Sequence, residues 1–182
     1  MTEEITEVQD IIREILESFT DHHDDIVIEA REYPGACYMT VKVAADDHPK
    51  VVGRRGANIR PLQALVARIG KANNELYKLK LLEPDPAPRR PSSPQKNPKQ
   101  YDPAKAIELL IWTIAAALDL DDESVGVDCI QKDASLSYTL RITVRDPATL
   151  TEGETPLLSI LSTLWHAWAQ ADGVSFVLEV AP

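Results

Sequence analysis

Val51-Val52-Gly53-Arg54-Arg55-Gly56-Ala57-Asn58-Ile59-Arg60 is the stretch on which the reading of this chain turns. An apolar pair runs into a Gly-x-x-Gly loop with two arginines, and the loop opens an amphipathic helix. Two glycines let main chain approach a phosphate closely, and the first amides of a helix still lack partners. Arg54 and Arg55 add charge where the phosphate sits.

The charge distribution supports a phosphate track. The 182-residue chain is acidic overall, with a net charge of −10, which excludes a protein that coats nucleic acid with its whole surface. Residues 1–47 hold three basic and thirteen acidic side chains. Residues 48–82 reverse this, with Lys50, Arg54, Arg55, Arg60, Arg68, Lys71, Lys78 and Lys80 against Glu75 alone. A basic segment centred on a glycine loop is expected to follow a polyanion.

The apolar periodicity gives the elements around the loop. Ile5, Val8, Ile11, Ile12, Ile15, Leu16 and Phe19 recur at three- and four-residue steps and predict an amphipathic helix. Ile26–Glu32 and Tyr38–Val43 read as a strand pair around the turn residues Pro34 and Gly35. Asp46-Asp47-His48-Pro49 starts a short helix over Lys50–Val52. A second helix is expected from about Ala57 to Lys71, with Pro61 requiring that its start lie close by. A last strand over Leu76–Leu82 alternates lysines with leucines.

This order of helix, strand, strand, short helix, Gly-x-x-Gly, helix and strand resembles the type II KH domain over residues 4–82. The loop, its preceding valine pair and the following Ile59-Arg60 are most similar to the small stand-alone bacterial KH RNA-binding proteins. The resemblance implies a grip on about four nucleotides of single-stranded RNA, or of single-stranded DNA. It places Gly53, Arg54, Arg55, Gly56, Ala57 and Asn58 on the backbone, the last two through helix-start amides. Val51, Val52 and Ile59 would floor or support the groove, and Lys50, Arg60 and Arg68 are candidate flanking phosphate contacts. Two arginines in the loop and Pro61 after it depart from the usual pattern.

Residues 83–102 contain six prolines and almost no apolar side chains, so they read as an extended linker able to hold its flanking domains up to ~60 Å apart. Beyond it the pattern repeats. Ile107, Leu110, Ile111, Ile114 and Leu118 follow Val8, Ile11, Ile12, Ile15 and Phe19 at 99 residues; Tyr138 follows Tyr38 at 100; and Leu157, Ile160, Leu161 and Leu164 follow Leu62, Leu65, Val66 and Ile69 at 95. About five residues are missing where the phosphate loop belongs. That segment carries Glu152 and Glu154 around one glycine, and residues 106–182 hold three basic and twelve acidic side chains. The second half therefore reads as a degenerate KH-like domain without the binding site.

The expected architecture is α+β: two tandem type II KH-like domains, residues 1–82 and 103–182, each a three-stranded sheet packed against helices, joined by a proline-rich linker. Trp112, Trp165 and Trp168 all fall in the second half, as core filling or as an exposed strip for a homodimer or a protein partner. Cys37 and Cys129 sit in or beside strands and are expected to be small buried residues rather than a disulfide. His22-His23-Asp24-Asp25 reads as a solvated loop rather than a metal site, and no nucleotide or nucleophile motif nominates a cofactor or enzymatic chemistry. The acidic start, without an uninterrupted apolar run, suits neither a membrane segment nor a secretory leader, which makes the cytoplasm the default location. A different class of function, an oligomerisation or protein-interaction scaffold with no nucleic-acid binding, is the alternative.

Overall fold

The computed structural model describes residues 3–84, 103–131, 137–152, 156–171 and 174–181. The expected linker, residues 83–102, lies almost entirely outside them.

The first half runs α1 (Glu3–Phe19), β1 (Val27–Tyr33), β2 (Ala36–Lys42), α2 (His48–Val52), α3 (Ile59–Ala72) and β3 (Leu76–Leu81). The second runs α4 (Pro103–Leu118), β4 (Gly126–Gln131), β5 (Ser137–Thr143), α5 (Ala148–Thr151), α6 (Leu157–Ala171) and β6 (Ser175–Val180). Each half makes one three-stranded sheet with an antiparallel pair and a parallel pair, in the orders β1-β2-β3 and β4-β5-β6. The chain is thus α+β, with two KH-like units of the same topology.

All seven periodic residues of α1 are buried. The strands alternate as a half-covered sheet must: Cys37, Met39, Val41, Tyr77 and Leu79 point into the core, and the intervening positions face outward. Cys129 departs from expectation, being exposed on the edge strand β4, and both cysteines are free.

The pairing revises the alignment between the halves. Cys37 lies beside Tyr77, and Tyr138 beside Phe176, so Tyr138 corresponds to Cys37 and not to Tyr38. Because side chains alternate along a strand, this one-residue shift puts Tyr138 inside and Tyr38 outside. Burial likewise pairs Ile11, Ile12 and Leu16 of α1 with Leu109, Leu110 and Ile114 of α4, at 98 residues rather than 99. Asp119, in a left-handed conformation with φ 54°, absorbs the extra residue after α4.

The two halves are not held apart. Helices α1 and α3 pack against α4 and α6, and the buried residues of both halves form one continuous core. The contacts are reciprocal, α1 on α6 as α4 is on α3, which is the pattern of a two-fold axis. Lys105 Nζ meets Glu14 at 2.6 Å across the junction, and Arg68 donates to the Thr149 carbonyl at 3.1 Å. Trp165 is buried, so it forms no exposed strip. Trp112 is 41% exposed and lines a pocket between the halves with Val8, Ile11 and Ile69.

Candidate nucleic-acid interface

The loop begins where α2 stops. Gly53 ends that helix at φ 71° and ψ 173°, a conformation essentially reserved for glycine. A Cβ here would also lie 2.8 Å from the Asn58 side chain and 2.9 Å from its backbone nitrogen. Arg54–Gly56 then form one tight 3₁₀ turn, with Arg55 left-handed at φ 57° and Gly56 at φ 82°. Gly56 N–H donates to Gly53, Ala57 N–H to Arg54 and Asn58 N–H to Val52, each at 3.2 Å. The loop is built by these bonds, so the amides of Ala57 and Asn58 hold its shape instead of standing open as helix-start donors.

Arg54 and Arg55 are both exposed at the tip. Arg60 lies over Gly56 from the first turn of α3, where its Nε would be only 3.1 Å from a Cβ on that glycine, so the second glycine makes room for that side chain. Three guanidinium groups are therefore associated with one turn of backbone. Pro61 falls in the first turn of α3, which begins at Ile59 rather than Ala57, where a missing amide hydrogen costs nothing. Asn58 Nδ2 donates to the Lys50 carbonyl at 2.8 Å and ties the loop back to α2. Val51 is buried in the core, and Val52 and Ile59 stay half-buried beside the loop.

Two other basic candidates are engaged elsewhere. Arg68 serves the junction between the halves through Thr149. Lys50 Nζ bridges Asp21 at 2.5 Å and Asp47 at 2.8 Å. Burial works against the Lys50 charge, yet its hydrogen bonds with Asp21 and Asp47 hold its pKa above the ordinary lysine value.

Asp47 is a part of this region that sequence reasoning assigned only to a helix start. Its fully buried carboxylate accepts from the backbone amides of Asp21 at 3.1 Å and His22 at 2.9 Å, and pairs with His22 Nδ1 at 2.9 Å. Lys50 completes the set. The three contacts from Asp21 and His22, with the bridge from Lys50 to Asp21, thus pin the segment after α1 to the helix that carries the glycine loop, and His22 is committed to this carboxylate. Burial pushes the Asp47 pKa up, but the bonds from Lys50, from the two amides and from His22 outweigh it and bring it to about 2 from the usual 3.8. Since the folded value is the lower one, this carboxylate stabilises the fold above pH ~4 and loses that contribution as pH falls toward 2. Asp47→Asn is expected to cost about 2 kcal/mol at pH 7, with the gap to wild type shrinking to about half by pH 3; urea unfolding of both proteins across that range measures it.

Among its described residues, the corresponding region of the second half has no such site. Short α5 stands in place of α2, with Ala148 N–H donating to Asp146 at 3.1 Å, and Glu152 exposed at its end. From β5 to α6 the second half is six residues shorter than the first, by the pairing of Val41 with Ile142 and of Leu62 with Leu157.

Residues 9–81 match the family model described as KhpA/KhpB, KH domain. The chain is also similar to the RNA-binding protein KhpA of Listeria monocytogenes serovar 1/2a and to that of Listeria innocua serovar 6a. Each is 25% identical over 76 residues, which cover 42% of this chain and the full length of the relative. The first half of the chain is a small KH-like domain. Among the described residues, no helix is long and apolar enough to cross a membrane.

Proposed function

We propose that this protein is a non-catalytic binder of single-stranded RNA, gripping about four nucleotides at the loop of its first domain while its second domain braces the first from within the same chain. The observation that carries the reading is the Gly53–Gly56 turn on a KH-like fold, with Arg54 and Arg55 exposed at its tip and Arg60 folded over Gly56. In this reading the backbone lies across Gly53 and Gly56, and the three arginines meet its phosphates. Val52 and Ile59 offer apolar contact to the adjacent sugars and bases. Lys50 and Arg68 act as supports, one for the start of α2 and one for the junction with the second half.

Relatives named for RNA binding support the ligand class. The division of labour between the halves is supported by the covered helices and by the acidic segment that replaces the loop in the second. Full-length protein titrated with a short labelled single-stranded RNA at several salt concentrations tests the reading. Three or four neutralised phosphates give a slope of about −2 to −3 in log affinity against log salt. A slope near zero, or no binding, would favour the scaffold.

A further inference from the structure

The outward face of the first sheet combines exposed rings with positive charge. Register places Arg31 beside Tyr38 and Tyr38 beside Lys78, with Thr40 between Glu29 and Lys80 on the next outward row. Tyr33 and Tyr38 are 55% and 40% exposed. Their rings meet edge to face at 5.6 Å and 87°, which leaves ring surface open to a planar ligand. Lys78 Nζ stands 5.7 Å from the Tyr38 ring centroid. Arg31, Lys42, Lys78 and Lys80 share this face with one acid, Glu29, since Glu32 of β1 falls on the opposite face beside Cys37.

The second sheet serves as an internal comparison. By strand pairing, Ile130, Thr139 and Val177 stand where the first sheet has Arg31, Tyr38 and Lys78. Its outward face carries Asp128, Arg141 and Glu179, with Arg141 and Glu179 3.8 Å apart. Among the described residues, the same backbone thus presents rings and an excess of positive charge in one half, and no ring and a lone arginine between two acids in the other, so the pattern is not a requirement of the fold.

We propose that this face is a second contact surface for single-stranded nucleic acid, on which bases stack against Tyr33 and Tyr38 while Arg31, Lys78 and Lys80 take the phosphates. Aromatic side chains interleaved with basic ones are what an unpaired strand requires, since every base has a stacking face and every linkage a charge. A purely acidic partner would use the lysines and leave the paired rings without a role. The proposal rests on the RNA-binding reading of the glycine loop and extends it: the loop holds a short segment from the helix side, and a longer strand continues onto the sheet.

The test uses the full chain with labelled oligo(U) of about four and about sixteen nucleotides, read by fluorescence anisotropy. Tyr33→Ala/Tyr38→Ala is expected to weaken binding of the long probe about 10-fold or more, with the short probe unaffected. Tyr33→Phe/Tyr38→Phe keeps the stacking surface and is expected to bind both as wild type does. Lys78→Glu/Lys80→Glu, which leaves the rings in place, gives a second measure of the same loss should the alanine pair disturb folding. Equal affinities of wild type and both surface variants for the long probe would overturn the proposal and leave the loop reading standing. So would a change in sedimentation of the tyrosine variant, which marks the face as a contact between copies. Failure of wild type to bind either probe would remove both readings together.

Discussion

Replacing Arg54 and Arg55 with aspartate is expected to weaken single-stranded RNA binding about 100-fold or more, since the change reverses both charges at the tip of the phosphate loop. Circular dichroism and melting temperature should stay as in wild type. Both side chains are exposed, and Arg55 has φ 57°, a conformation that aspartate tolerates better than most residues. The shape of the turn depends on bonds among Gly53, Arg54, Gly56, Ala57, Asn58 and Val52 that involve main chain only. A binding loss accompanied by unfolding would point to a structural role for the arginines. Unchanged affinity with an unchanged fold would remove the loop as the site.

Separating the halves is expected to have the other large effect. Val8, Ile11 and Ile69 face the second half beside Trp112 and are at most 4% exposed. Uncovering side chains of this size costs roughly 1.5–3 kcal/mol each when fully lost to water, and several together approach the whole stability of a small domain. Residues 1–84 alone are therefore expected to self-associate through α1 and α3, or to fail to hold a fold. The full chain should sediment as a monomer. Analytical ultracentrifugation of both decides the matter: a stable monomeric fragment that melts like the whole chain would mean that the second half contributes nothing to the first.

The element order of both halves was legible because their signals are local: heptad-like spacing in α1, alternating lysine and leucine in β3, and proline and glycine at turns. The loop was legible for the same reason. Pairing between halves was not, because Tyr38 and Tyr138 are the same residue type in opposite orientations, and a tyrosine suits either face of a sheet by turning its ring inward or its hydroxyl outward. The packing of the halves did leave a trace. Helix α4 buries Ala106, Leu109, Leu110, Thr113, Ile114, Ala115 and Ala117, a band too wide for a helix covered on one side. Asp47 was beyond reach for a different reason, since its partners at Asp21 and His22 lie 26 and 25 residues away and only the fold brings them together. Arg68 and Lys50 looked like Arg54 in sequence and differ from it only in what the fold places beside them.

The reciprocal packing of the halves has a consequence for valency. Two identical chains joined across a two-fold axis would carry two phosphate loops and bridge two strands, or two points on one. Here both sides of the axis belong to a single polypeptide, and one side has no glycine loop among its described residues. On the proposed reading the protein is a univalent ligand for RNA at that loop: it occupies a site without crosslinking it to another, its occupancy does not depend on a dimerisation equilibrium, and dilution alters how many molecules are bound but not how each one binds.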